Sequence, residues 1–342
     1  MCNFEHICNI VEQGVQTAYP GACLAIGVKE NVLLKKAFGT VKIDTLFDMA
    51  SVSKIMSTTM VALKYIEDGK MRLYDRMDFF FDVPQDKAGI TVLNLLTHTS
   101  GLPAHIYISD FATSAHEAVD VIMAQPLLHD IGTMPVYSCL GFIVLGRILE
   151  KIGKAPLDRL AKNIVFDPLR LHNTTYHPQG DIAPTEYNPE IGEFLCGIVH
   201  DENAQFLKGI SGNAGVFSTL DDVSAFAQML ALGGKTCDGT VFLSPATMQA
   251  ALRNRTPGEQ QEFRGLGFNL AGSPANFLGD LLSPQAFGHT GFVGTSIAVD
   301  PVTGLFVVLL TNRVCPTRNN VNLIRMRSLI HNAIAAEISK YY

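Results

Sequence analysis

Residues 47–75 read FDMASVSKIMSTTMVALKYIEDGKMRLYD. Positions 50–68 of this stretch carry a strong helical pattern, which Gly69 ends. Ser51 and Lys54 stand at the helix opening. Residues three apart share one helix face, with Cβ atoms about 5–6 Å apart, so the lysine amine falls beside the serine hydroxyl. Serine is a weak nucleophile that needs an adjacent base, and a lysine can serve where its surroundings lower its pKa. The N–H groups at a helix start suit a developing oxyanion. Taken alone, Ser-x-x-Lys reads first as a helix start with a capping serine and a solvated lysine.

Three further stretches follow in order: LNLLTHTSGLP at 93–103, PVYSCLGFIVLGRILE at 135–150 and FGHTGFVGTSIAVDP at 287–301. Together with the first, their order and spacing closely resemble the serine β-lactamase and penicillin-recognising family. The branch is the one near class C β-lactamases, D-alanyl-D-alanine peptidases and related esterases, and the match covers nearly the whole chain. The resemblance implies that Ser51 is the nucleophile, that Lys54 is its partner, and that Tyr137 is a phenol able to move the serine proton. It also implies an oxyanion hole from the backbone N–H groups of Ser51 and Phe292. Two positions depart from the family pattern. Cys139 stands where the family has Asn in Tyr-x-Asn, and His289-Thr290-Gly291 stands where it has Lys-Thr-Gly. A thiol is a poor substitute for an amide's donor and acceptor, and a neutral imidazole offers no fixed charge to a substrate carboxylate. Both changes lean the reading towards esters, or amides without a free carboxylate. An inert, buried Cys139 is expected, because no activating His is visible in register. The remaining alternatives are a D-alanyl-D-alanine peptidase or β-lactamase, and a catalytically inactive ligand-binding scaffold.

The rest of the chain is organised around these motifs. Positions 22–29 and 31–39 read as a strand hairpin, and 288–299 and 305–311 as apolar strands with Asp300-Pro301 and Gly304 in the turn. Helical patterns cover 91–97, 115–125, 138–152 and 156–163, then 221–232 and about 320–339, and Phe4, Ile7, Cys8, Val11 and Val15 mark a first amphipathic helix. Strands at both ends with helices between predict an α/β fold: a β-lactamase-like antiparallel sheet flanked by helices, plus an inserted mainly helical domain. The boundaries expected are 1–74 and 211–342 for the α/β domain and 75–210 for the insertion, with the active site in the cleft between them. The length of 342 residues agrees with roughly two domains.

Composition narrows the function classes. Apolar residues make up 47% and charged residues 17%, which excludes intrinsic disorder. A net charge of −6 without a basic block argues against nucleic acid as a partner. No run approaches 18 apolar residues, so no membrane span is expected. Seven cysteines without CxxC spacing point to reduced thiols and a cytoplasmic setting. His200-Asp201-Glu202-Asn203 sets a histidine beside two carboxylates, but consecutive residues do not face one point, and neither metal nor cofactor is expected. In the family's esterase-like members the same string looks like a loop bordering the cleft. Gly209 to Gly215 reads as a tight turn rather than a phosphate loop, and His98 as a side chain that fixes its own loop. The partner expected is a small-molecule ester, amide or β-lactam substrate; oligomeric state stays open.

Overall fold

The computed structural model describes residues 2–256, 262–273 and 276–342. The strands in chain order are β1 (Gly21–Val28), β2 (Asn31–Gly39), β3 (Phe47–Asp48), β4 (Tyr187–Asn188), β5 (Glu193–Phe194), β6 (Phe217–Ser218), β7 (Asn269–Leu270), β8 (Phe287–Thr290), β9 (Ser296–Asp300) and β10 (Leu305–Thr311). The helices are α1 (Glu5–Thr17), α2 (Met60–Glu67), α3 (Met77–Phe80), α4 (Val92–Leu96), α5 (Ala118–Ala124) and α6 (Cys139–Gly153), followed by α7 (Leu157–Ala161), α8 (Glu202–Phe206), α9 (Leu220–Ala231), α10 (Pro245–Leu252) and α11 (Asn322–Ile338).

Both ends of the chain build one antiparallel sheet of six strands, ordered β2-β1-β10-β9-β8-β7. Strand β1 is buried along its whole length and pairs with β2 on one side and β10 on the other, Ala22 lying opposite Thr311. A strand covered on both faces needs apolar residues at every position, and GACLAIGV supplies them. One face packs on α1 and α11 through Ile7, Val11, Leu24, Ile330 and Ile334. The other packs on α9, and its side chains continue into one cluster with Leu95, Phe142 and Leu145 of the helical segment.

The stretch 288–299 differs from the expected single strand. It is a hairpin, β8 and β9, folded about residues 291–295. Glycine makes the fold-back possible. Gly294 has φ +118°, and a Cβ on Gly291 would stand 2.6 Å from the Met49 carbonyl and 2.2 Å from the Thr295 hydroxyl. The 50–68 helix is continuous but irregular: a 3₁₀ turn at Ala50–Val52, then π-helical hydrogen bonding over Lys54–Thr59, then α2. Such wide turns recur at functional sites. Among the described residues no helix is long and apolar enough to cross a membrane, and all seven cysteines are free thiols.

Candidate active site

The short strand β3 delivers the chain to the site. Met49 donates its N–H to the Val216 carbonyl at 2.9 Å, and Ala50 then turns through a left-handed φ of +44°. This bend brings Ser51 into a cleft of about 730 Å³, where it meets Tyr137, Cys139, His289, Thr290, Gly291 and Phe292. All of the residues singled out by the motifs therefore line one cavity, except Lys54, which lies fully buried beneath it.

Lys54 Nζ has three acceptors for its three N–H bonds. They are Ser51 Oγ at 3.0 Å, the Asn213 carbonyl at 2.9 Å and Cys139 Sγ at 3.6 Å. The ammonium also lies 5.0 Å from the centre of the Tyr137 ring and 5.7 Å from that of Phe142. Burial pushes its pKa down, but Cys139 and Tyr137 outweigh burial and hold it above the ordinary lysine value. The condition posed for a lysine base, a lowered pKa, is thus not met in the resting site. The reason is the nearness of Cys139 and Tyr137 to the ammonium.

Tyr137 precedes Ser138, whose hydroxyl caps α6 by accepting the Gly141 N–H at 3.2 Å. The Tyr137 hydroxyl is buried and makes no hydrogen bond of normal geometry, yet Lys54 and Ser51 lie near enough to lower its pKa. Burial outweighs both and leaves the phenol above its usual value. His98 holds this segment: its Nδ1 accepts the Ser138 N–H at 3.1 Å, and its ring lies 4.5 Å from that of Tyr137.

His289 is 2% exposed, its Nδ1 bonds the Thr290 carbonyl at 2.8 Å, and its Nε2 is buried without a partner. Burial, helped by Lys54 and Arg264, lowers its pKa to about 3, so the imidazole is neutral at physiological pH. Cys139 differs from the sealed thiol expected: it is half-buried, lines the cleft and contacts Lys54. The 291–295 turn is tied to the serine turn through Thr295 Oγ1, which donates to the Met49 carbonyl at 3.0 Å. That bond fixes Phe292 relative to Ser51.

His200, Asp201 and Glu202 border the cleft, and each has another occupation. His200 Nε2 contacts Glu186 at 3.0 Å, Asp201 caps α8 through the Ala204 N–H at 2.8 Å, and Glu202 pairs with Arg318 at 2.8 Å. Three contributors were missed by sequence reasoning. The Asn213 carbonyl binds Lys54 from the glycine-rich turn. Asp48 holds the serine turn from beneath. Arg264, 5% exposed and bonded to Glu262 and Asn269, lines the cleft with its guanidinium 5.3 Å from the Tyr137 ring centre. Arg264 stands in no motif, and no local pattern marks it. Asp48 stands inside the quoted stretch, but its buried position is visible only in three dimensions.

The comparisons with known proteins give the family and the fold. The beta-lactamase family model matches residues 7–329. A protein of Salmonella agona (strain SL483), provisionally named a D-alanyl-D-alanine carboxypeptidase, is 30% identical over 353 aligned positions, covering 89% of this chain and 81% of that one. Among solved structures, EstCE1, described as a hydrolase with promiscuous acyltransferase activity, has a TM-score of 0.78 at 21% identity and covers 97% of this chain and 98% of its own. A penicillin-binding protein homologue from Caulobacter crescentus gives 0.77 at 18% identity, with 98% of both chains covered. The two structural likenesses carry the fold: an antiparallel sheet flanked by helices. The family match over nearly the whole length carries the rest, and the chain belongs to the beta-lactamase family of serine hydrolases.

Proposed function

We propose that this chain is an esterase-like member of the family, hydrolysing small esters or amides through a Ser51 acyl-enzyme. The observation that carries the reading is the 3.0 Å contact between Lys54 Nζ and Ser51 Oγ on the floor of the cleft. Lys54 and Tyr137 each hold a proton in the resting site, so the competent form is the one in which this pair has given up one proton. Ser51 Oγ then attacks the substrate carbonyl while its proton passes to the Tyr137–Lys54 pair. The negative charge that develops on the carbonyl oxygen is met by the Ser51 and Phe292 N–H groups. The pair returns the proton to the leaving group, and water entering from the cleft is deprotonated in the same way to release the acid. The cleft lies between the sheet built from 1–74 and 211–342 and the inserted helical part, 75–210.

The neutral His289 and the thiol of Cys139 favour esters over carboxylate-bearing amides. A second reading, removal of a terminal D-alanine, is favoured by Arg264, a cation on the cleft wall whose partner Glu262 a substrate carboxylate would have to displace, and by the relative's name. Labelling with a fluorophosphonate probe and with a fluorescent penicillin separates the readings. Fluorophosphonate labelling alone supports the esterase, labelling by both a peptidase or β-lactamase, and labelling by neither an inactive scaffold.

A further inference from the structure

Asp48 lies three residues before Ser51 at the end of β3 and is 1% exposed. Its two carboxylate oxygens have separate duties. Oδ1 accepts the Ala50 N–H at 2.7 Å, which closes a local turn around the left-handed residue that precedes the nucleophile. Oδ2 accepts the His200 N–H at 2.7 Å from a loop distant in sequence. The His200 ring stacks on Phe292 with centroids 5.6 Å apart, and Phe292 follows Gly291 in the turn assigned to the oxyanion hole. One buried carboxylate therefore touches the support of both the attacking group and the oxyanion donor.

We infer that Asp48, in its ionised form, is a positioning residue that holds the Ser51 turn and the Phe292 turn in their working relation. The inference rests on the Ser51 reading above. The charged or titratable groups facing Asp48 are His200 and Asp201, both in the segment that leads into α8. On the other side, its partner strand β6 presents Phe217 and Ser218, which carry no charge. His200 is itself engaged with Glu186, which also binds Arg318. Burial raises the Asp48 carboxyl to about 6, against the two N–H bonds and His200 that favour its charge. Protonation turns one oxygen into a hydroxyl and removes the charge assistance from both bonds. Because the folded pKa lies above the unfolded one, protonating Asp48 favours the folded state. Its loss of charge should thus lower activity without lowering stability.

The test measures kcat for a neutral p-nitrophenyl ester, the rate of fluorophosphonate labelling and Tm between pH 5 and 8, in the parent and in Asp48→Asn. On top of the smooth acid-side decline set by the Tyr137–Lys54 pair, the parent should show a further downward step in kcat and labelling rate near pH 6, with no parallel fall in Tm. Asp48→Asn keeps one acceptor oxygen and sets an NH₂ group against the other N–H. It should lose the step and run about 10–100-fold slower, the scale of a lost bond to a charged group. His200→Gln loses the ring that stacks on Phe292 and should lower the overall rate, but it keeps the backbone N–H that binds Asp48 and should keep the step through the Ser51 turn. A parent profile without the step, an Asp48→Asn profile that retains it, or its disappearance in His200→Gln would each overturn the inference. Should Asp48→Asn not fold, the parent profile and His200→Gln decide alone. Absence of turnover and labelling at every pH sinks the Ser51 reading and this inference with it. Normal labelling without the step sinks the inference only.

Discussion

The Lys54 ammonium donates to Ser51 Oγ at 3.0 Å from a position with no exposure to solvent, saturated by a serine, a carbonyl and a thiol. A lysine held this way is a fixed cation whose proton leaves only when a neighbour changes. Ser51→Ala should abolish ester turnover and fluorophosphonate labelling with the fold intact, since only one hydroxyl is lost. Lys54→Ala should cost nearly as much, because residues that act as a unit are not additive. Steady-state kinetics with circular dichroism as a fold check measures both; brisk turnover by Ser51→Ala would end the serine assignment.

Tyr137 is expected to matter through its hydroxyl alone. Tyr137→Phe keeps the ring between His98 and Lys54 and should reduce kcat by about 10²–10⁴-fold, the usual worth of a general base. A rate within a few-fold of the parent would place proton transfer on Lys54 alone.

The pKa directions of the pair also set a pH dependence. Tyr137 is raised chiefly by burial, and Lys54 is raised by Cys139 and Tyr137 against burial. The competent form has lost one of these protons, so kcat should climb on the alkaline side of neutrality, with an apparent pKa belonging to the pair. A pH–rate profile flat from 7.5 to 10 would contradict this.

Substrate preference should follow Cys139 and His289. The imidazole, lowered to about 3, is uncharged throughout the working range. Short-chain p-nitrophenyl esters should be turned over measurably, and penicillins and cephalosporins very weakly. An interaction with a charged group is worth about 1.5–3 kcal/mol. Cys139→Asn with His289→Lys should therefore raise β-lactam acylation relative to ester hydrolysis by one or more decades. A parent enzyme that handles a cephalosporin as well as its best ester would refute the specificity argument and leave the catalytic assignment untouched.

Gly291 is a steric requirement of the site. A methyl group there would press on the Met49 carbonyl and the Thr295 hydroxyl, the two atoms whose bond joins the serine turn to the 291–295 turn. Gly291→Ala should destabilise by about 1–3 kcal/mol, as overpacking does, and should lower kcat more than it raises KM. Thermal melts and ester kinetics read both effects.

Much of this was legible in the chain itself. The β1–β2 hairpin follows from its apolar pattern and turn residues, and α6, α9 and α11 from helical periodicity. The motif order brought Ser51, Tyr137, Cys139 and His289 to a common site. What escaped reading depends on contacts across the fold. The β8–β9 hairpin looked like one strand because its turn, GFVGT, is as apolar as its flanks. The direction of the Lys54 pKa could not be inferred because the two groups that chiefly raise it, Cys139 and Tyr137, are remote in sequence. Arg264 reaches the cleft only because its segment bridges to Asn269 of β7.

The pairing of Ala22 with Thr311 has a consequence for biosynthesis. On the ribosome, β1 has β2 as its only partner until residues 305–311 emerge, close to three hundred residues later. At about 5–20 residues per second that wait is on the order of 15–60 s. Throughout it, a fully apolar strand presents an open edge in the nascent chain. A chaperone that shields such edges would serve this protein during translation, before the central sheet is closed.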